Sequence, residues 1–229
     1  MENTQNTIST SMVATLEMDN LSIAGDLLEV GLDTVLEEGM LRDIPIIGVL
    51  VGGGKVIHNI SDIIFTKKLA AFLYGLKDCE TSKRKEAIAK WEANAKYRTH
   101  LGETLVNMIH RCDDSCKAKW LSKLFYELVL LKQQPDVFMR AEKVLSALSV
   151  IDIISFLQLP TNKYQSLTLT EGELFANSGL YRLEGAPSHV EEETETLVLD
   201  SGYTYVITEV GKRIYNTLRE GRGKKSQEG

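Results

Sequence analysis

The stretch TLTEGELFANSGLYRLEGA, residues 168–186, decides the fold class together with the segment TETLVLDSGYTYVITEV, residues 194–210. The first reads as a short helix that ends in a glycine turn and passes into a brief strand. The second reads as two strands of alternating apolar residues about the turn Asp200-Ser201-Gly202. GKRIYNTLREGR, residues 211–222, follows as a helix with Ile214 and Leu218 on one face. Helix, short strand, hairpin and helix in that order predict a winged-helix-like module over residues 142–222, with a tail at 223–229.

Everything upstream carries helical periodicity, so a helical body is expected over residues 19–141. Leu21, Ala24, Leu28, Gly31 and Val35 mark one amphipathic face. Leu69, Phe72, Leu73 and Leu76 mark another. A long helical stretch from Ser82 to Arg111 turns Ile88, Trp91, Ala95, Leu101, Leu105 and Met108 inward, with a break expected near Thr99 to Gly102. Asp114 or Ser115 caps the next helix, whose stripe is Trp120, Leu124, Leu128 and Leu131. A further helix presents Phe138, Ala141, Leu145, Leu148, Ile151 and Ile154 until Pro160 stops it. Residues 1–18 are rich in Ser, Thr and Asn and are expected to form a flexible N-terminus. The fold class predicted is therefore mainly α: a multi-helix bundle with a small C-terminal α+β element.

GVLVGGGKVIHNISD, residues 48–62, is the most unusual segment. A phosphate-binding loop needs glycine seven residues before a hydroxyl and a lysine just ahead of it, but Val49 and Val56 occupy the glycine and hydroxyl positions. Helical spacing accounts for the segment better. Ile46, Leu50, Gly53, Ile57, Ile60 and Ile64 share one face, Pro45 suits the first turn, and Asp43 is placed to cap it. Gly48 and Gly52 form a GxxxG pair that lets another backbone approach closely. Gly48, Gly52, Gly53, Gly54 and Lys55 are thus candidates for helix packing or membrane contact. The apolar run from Ile44 to Ile57 falls short of the roughly 20 residues a spanning helix needs, which leaves contact with a membrane surface as the alternative.

With 229 residues, four prolines and a net charge of −6, the chain is long enough for a substantial helical core. Three cysteines with no signal-peptide pattern suit a reducing cytoplasm. Charge is uneven: nine acids stand against one base over residues 1–43, ten against fifteen over 44–139, and thirteen against ten over 140–229. HRCDDSC, residues 110–116, is the one metal-like cluster, and it lacks the second ligand pair a zinc site requires. Neither a metal nor another cofactor is expected. No GxSxG, HExxH or kinase pattern is present, and a non-enzymatic role is expected.

The succession IPIIGVLVGGGKVIHNISDIIFTKKLAAFL, ETLVNMIHRCDDSCKAKWLSKLFYELVLL, VIDIISFLQL, GLYRLE and YTYVITEVGKRIYNTL covers about residues 40–220. It resembles a widespread family of bacterial helical proteins of uncharacterised role and, more loosely, is similar to the abortive-infection alpha type proteins of phage defence. The resemblance implies a helical protein with a winged-helix-like end and carries no catalytic residues. The expected function is that of an interaction protein, an accessory or effector in phage defence, with a protein partner or self-association. Glu191, Glu192, Glu193, Lys212 and Arg213 are the interaction candidates. The acidic run before the hairpin opposes phosphate contact, so nucleic acid is a disfavoured partner. The alternatives are a membrane-perturbing effector acting through residues 45–76 and a winged-helix nucleic-acid-binding regulator.

Overall fold

The computed structural model describes residues 2–21, 44–52, 60–94, 100–132, 134–159, 164–167, 169–185 and 204–223. The protein is mainly α with a small α+β element at its C-terminal end. Helices α1 (Glu2–Leu16), α2 (Pro45–Gly52), α3 (Ile60–Tyr74), α4 (Thr81–Glu92), α5 (Leu101–Arg111) and α6 (Ser115–Leu124) come first. A π-helix, Phe125–Leu131, continues α6, and α7 (Pro135–Ala147) and α8 (Val150–Gln158) follow. The chain then runs through β1 (Tyr164–Ser166), α9 (Leu169–Ser178), β2 (Tyr181–Gly185), β3 (Thr204–Ile207) and α10 (Glu209–Gly223). Two compact units, Met1–Phe138 and Met139–Gly229, divide the chain within α7.

In the N-terminal unit the first segment departs from expectation, because residues 2–16 form a helix rather than a frayed end. Its hydroxyls are absorbed by the helix itself: Ser11 Oγ donates to Thr7 O (2.7 Å) and Thr15 Oγ1 to Ser11 O (2.8 Å). A polar helix face can then be buried, and Ser9 and Thr15 are buried beside Met12 and Leu16. Helix α1 packs on α5, α2 and α4. Its closest approach is at Gly102 of α5, where any side chain would overlap the Ser9 carbonyl. Thr15 Oγ1 also accepts the Ile46 N–H (3.0 Å), satisfying a free amide in the first turn of α2 from 31 residues away. Asp43, the expected cap, lies outside the described residues.

Helix α3 lies at the centre of this unit. Leu69, Ala70, Ala71, Phe72 and Leu73 are all buried, so no solvent face remains along that turn. It packs against α6 where Gly75 meets Ser122 with no room for a Cβ. Phe72, Phe125 and Phe138 stack in series, with ring centres 5.9 and 5.5 Å apart. The expected stripe through the glycine-rich segment is only partly in the core: Ile46 is buried, Leu50 half-buried and Ile64 exposed, while Gly53 and Ile57 lie outside the described residues. The expected stripe of α6 is interrupted too. Trp120, Leu124 and Leu128 are buried, but the π-helix widens the turn and leaves Leu131 exposed.

Buried cations close the helix ends of this unit. Arg84, 1% exposed, donates from Nε to Leu16 O (2.6 Å), from Nη1 to Cys79 O, and from Nη2 to Met18 O and Thr81 Oγ1. Lys68 Nζ donates to His110 O (2.9 Å) and Cys112 O (2.6 Å), the last carbonyls of α5. The break expected near Thr99 to Gly102 falls before α5, where Glu92 accepts from the Leu101 N–H (2.9 Å) and faces His100 Nδ1 (2.7 Å).

In the C-terminal unit the single helix expected from Phe138 to Ile154 is two. Ser149 and Asp152 form a reciprocal capping box, Asp152 N to Ser149 Oγ and Ser149 N to Asp152 Oδ2, which restarts the chain as α8. The apolar phase is reset, and Ile151 is left 75% exposed while Ile153, Phe156 and Leu157 are buried. The sheet is antiparallel in the order β1-β3-β2. Tyr164 pairs with Val206 and Tyr181 with Ile207, with a bulge between Leu183 and Gly185. The other strand expected in the hairpin, at residues 196–199, lies outside the described residues.

Helix α9 ends as the sequence predicts, on Gly179 at φ +91°. Gly179 N donates to Ala176 O (3.0 Å) and Leu180 N to Phe175 O (2.9 Å), a Schellman turn. Thr208 fastens this turn to α10, donating from Oγ1 to Gly179 O (2.7 Å) and accepting from Gly211 N (3.0 Å). Phe156 is ringed by Phe175, Tyr181 and Tyr215 at 5.9, 6.0 and 5.7 Å, all edge to face. Among the described residues, α9 alone lies between β1 and β2, where a winged helix places a helix-turn-helix pair.

Candidate functional site

Of the residues singled out from the sequence, the described ones lie on α2 and α10. Gly48 is half-buried on α2 and Gly52 is that helix's last residue, whereas Gly53, Gly54 and Lys55 lie outside the described residues. Glu191, Glu192 and Glu193 lie outside them as well. Lys212 is exposed on α10, and Arg213 is held by Glu209 at 3.1 Å. The HRCDDSC cluster is occupied by the fold. Its His110 and Cys112 carbonyls take the Lys68 ammonium, Asp113 pairs with Lys117 at 2.9 Å, and Asp114 caps α6 by accepting from the Cys116 N–H. An ammonium at the centre of the cluster repels a second cation. No group of three metal-binding side chains occurs among the described residues.

Two other features stand out. The first is a cavity of about 480 Å³ within the N-terminal unit, a size typical of small-molecule sites. Helix α4 supplies Ala87, Lys90 and Trp91, the π-helix supplies Val129, and Gln134, Pro135 and Val137 come from the start of α7. Asn94 and Asp136 complete it. The π-helix matters because its wider turn is a recurrent feature of binding sites. Its C-terminal end closes with Lys132 N donating to Glu127 O (3.1 Å) and Gln134 N to Leu128 O (2.6 Å). Gln134 Oε1 is the one buried side-chain nitrogen or oxygen without a hydrogen-bond partner among the described residues. Lys90 is ion-paired with Glu86 at 2.5 Å, and this hydrogen bond and charge hold the Glu86 carboxyl below its ordinary range.

The second feature is a group of exposed side chains on α9 and β2, two elements in mutual contact. Glu171, Glu173, Leu174 and Asn177 are exposed on α9, and Arg182, Leu183 and Glu184 on β2. Helix α9 can sit this close to the sheet because Gly172 meets the Tyr205 ring, where a Cβ would collide. Leu174 on α9, 37% exposed, stands among Glu171 and Glu173, and Leu183 on β2, 53% exposed, points to the side of the sheet opposite Arg182.

Neither feature is announced by a motif. The cavity draws on two stretches far apart in sequence, residues 87–94 and 129–137, and neither carries a recognisable motif. No family model, curated protein or solved structure matches the chain. Among the described residues no helix is long and apolar enough to cross a membrane.

Proposed function

We propose that the protein acts by binding another protein, without catalysing a reaction, as an accessory or effector in phage defence. The observation that carries this reading is the surface of α9 and β2. The helix between the first two strands, which a DNA-reading module would turn toward phosphates, presents Glu171 and Glu173 with an exposed Leu174. Acidic side chains around apolar points match a basic protein surface and repel a polyanion. The phage-defence setting rests on the sequence resemblance to abortive-infection alpha type proteins, and a cytoplasmic location belongs to the same reading.

The bilayer reading has less support. Release of residues 45–76 would withdraw Leu69, Phe72, Leu73 and Leu76, all fully buried, from the centre of the N-terminal unit. The test is affinity capture from phage-challenged cells with the unmodified protein and a Leu174→Asp/Leu183→Asp variant, alongside growth after challenge. One specific partner is expected, lost in the variant at unchanged circular dichroism together with the growth phenotype. Tight duplex DNA binding at physiological salt, abolished by Lys212→Ala/Arg213→Ala, overturns the reading in favour of a regulator.

A further inference from the structure

We infer that β2 is a self-association surface: two copies of the chain join edge to edge through β2, antiparallel about a two-fold axis at Leu183, into one sheet of the order β1-β3-β2-β2-β3-β1. Among the described residues β2 has β3 on one side and no strand on the other. An edge strand is a row of main-chain donors and acceptors ready to pair with another chain, and a second copy of the same strand closes it into a symmetric dimer. This contact goes beyond the partner surface proposed above, since both halves of it are this chain.

Charge fixes the register. A two-fold axis perpendicular to a sheet keeps each side chain on its own face, so it passes through a residue, and residues equally spaced about that residue stand opposite each other. Centred on Arg182, the pairing sets arginine against arginine; centred on Glu184, it sets glutamate against glutamate. Centred on Leu183, it sets Arg182 against the second copy's Glu184 and Glu184 against the second copy's Arg182, with leucine against leucine on the other face. Arg182 and Glu184 already share one side of the strand, Nη2 standing 3.3 Å from Oε1, and their side chains are 66% and 39% exposed. Edge bulges can twist a strand away from such pairing, and Glu184 is the residue that the bulge leaves without an opposite residue on β3. The ion pair shows that this bulge keeps the two charges in step. In the dimer they form a cluster of four, each charge with an opposite one along its own strand and another across the axis. Leu183, 53% exposed in the single chain, is covered by its copy.

Sedimentation equilibrium of the purified full chain should show a monomer-dimer equilibrium with a Kd on the order of 100 μM, as for a contact at the small end of the interface range. Arg182→Glu and Glu184→Arg each set like charges opposite each other twice, and each should weaken self-association at least about tenfold. Both positions are exposed, so circular dichroism should be unchanged. An equimolar mixture of the two variants restores opposite charges at both pairs, and a dimer with one copy of each should appear in native mass spectra with about the parent's affinity. A parent that stays monomeric up to about 1 mM overturns the dimer. A parent dimer whose affinity is the same in both variants overturns the β2 contact, and variants that stay apart when mixed overturn the register at Leu183. No cellular partner enters these measurements, so their failure is distinct from failure of the capture experiment.

Discussion

In the N-terminal unit Arg84, Lys68 and Lys117 are buried, and the first two spend their donors on main-chain carbonyls. In the C-terminal unit the centre is the Phe156 ring with Phe175, Tyr181 and Tyr215 around it, and Glu142 is the only buried charge among the described residues. The difference follows from how each unit ends its helices. Helices α1 and α5 stop inside the N-terminal unit, where the long side chains of Arg84 and Lys68 take up carbonyls at their ends. The C-terminal unit caps its helix ends locally: Ser149 with Asp152 where α8 starts, Thr208 where α10 starts, and Gly179 in the Schellman turn that ends α9. Its interior is left free for rings, and its long-range ties to carbonyls come from hydroxyls, Tyr215 Oη donating to Leu159 O (2.9 Å) and Thr208 Oγ1 to Gly179 O (2.7 Å).

The comparison is broken most severely at Arg84. Arg84→Met keeps the bulk of the side chain but removes the donor to the carbonyls of Leu16 and Cys79 and leaves Met18 O with Thr81 Oγ1 at 3.5 Å alone. The expected loss is about 2–6 kcal/mol, since each of the two orphaned carbonyls costs about 1–3 kcal/mol. Both tryptophans, Trp91 and Trp120, lie in the N-terminal unit, so urea denaturation followed by tryptophan fluorescence isolates the effect. An unchanged midpoint would show that the carbonyls find water.

Phe156→Ala is the matching test in the other unit. It opens a cavity among three rings and should cost about 3–5 kcal/mol. Tyrosine near-ultraviolet circular dichroism should register the loss while the tryptophan transition stays in place. A joint shift of both signals would mean that the two units unfold as one.

A smaller effect is expected from Thr15→Val, which preserves shape while removing the oxygen that receives the Ile46 N–H. About 1–2 kcal/mol should be lost, as for other caps. Amide hydrogen exchange at Ile46 should accelerate before exchange elsewhere in α2 changes.

Alkaline pH sharpens the comparison with the mildest perturbation. Burial pushes the Cys79 thiol above its ordinary 9.0, although the Arg84 charge and hydrogen bond oppose it, and burial pushes the Tyr181 hydroxyl above its ordinary 10.0. Each group is neutral in the folded state while the unfolded chain ionises first. Its contribution to stability is therefore complete below the ordinary value and falls as pH rises through the higher folded value. The N-terminal unit should begin to weaken above about pH 9 and the C-terminal unit above about pH 10. Cys79→Ala should flatten the first slope and Tyr181→Phe the second; identical slopes in parent and variants would dissociate these groups from the effect.

The helices that the sequence makes legible are those whose signal is local and strong. Ile88, Trp91, Leu105 and Met108 recur at helical spacing and are buried as that spacing requires, and Asp114 caps α6 where a capping residue stands. The SVID sequence at 149–152 was a readable cap as well, but the continuous apolar stripe across it masks the restart of α8. Strand β1 is three residues, Tyr164–Ser166, too short to show alternation, and it exists through its pairing with β3. For the candidate sites, Leu174 and Leu183 are ordinary apolar residues in the sequence, and their exposure is visible only once α9 and β2 are packed.

What the sequence determined by itself is the helical class, the α+β ending, the Gly179 turn and the cap at Asp114, because periodicity, turn chemistry and capping act over a few residues. What only the tertiary structure decided is the burial of a Ser/Thr-rich first helix against Gly102, the placement of Arg84 under three carbonyls, the widened turn at Phe125–Leu131 and the cavity around Gln134. Each of these depends on which distant backbone groups would otherwise be left without partners, and a one-dimensional pattern carries no record of that.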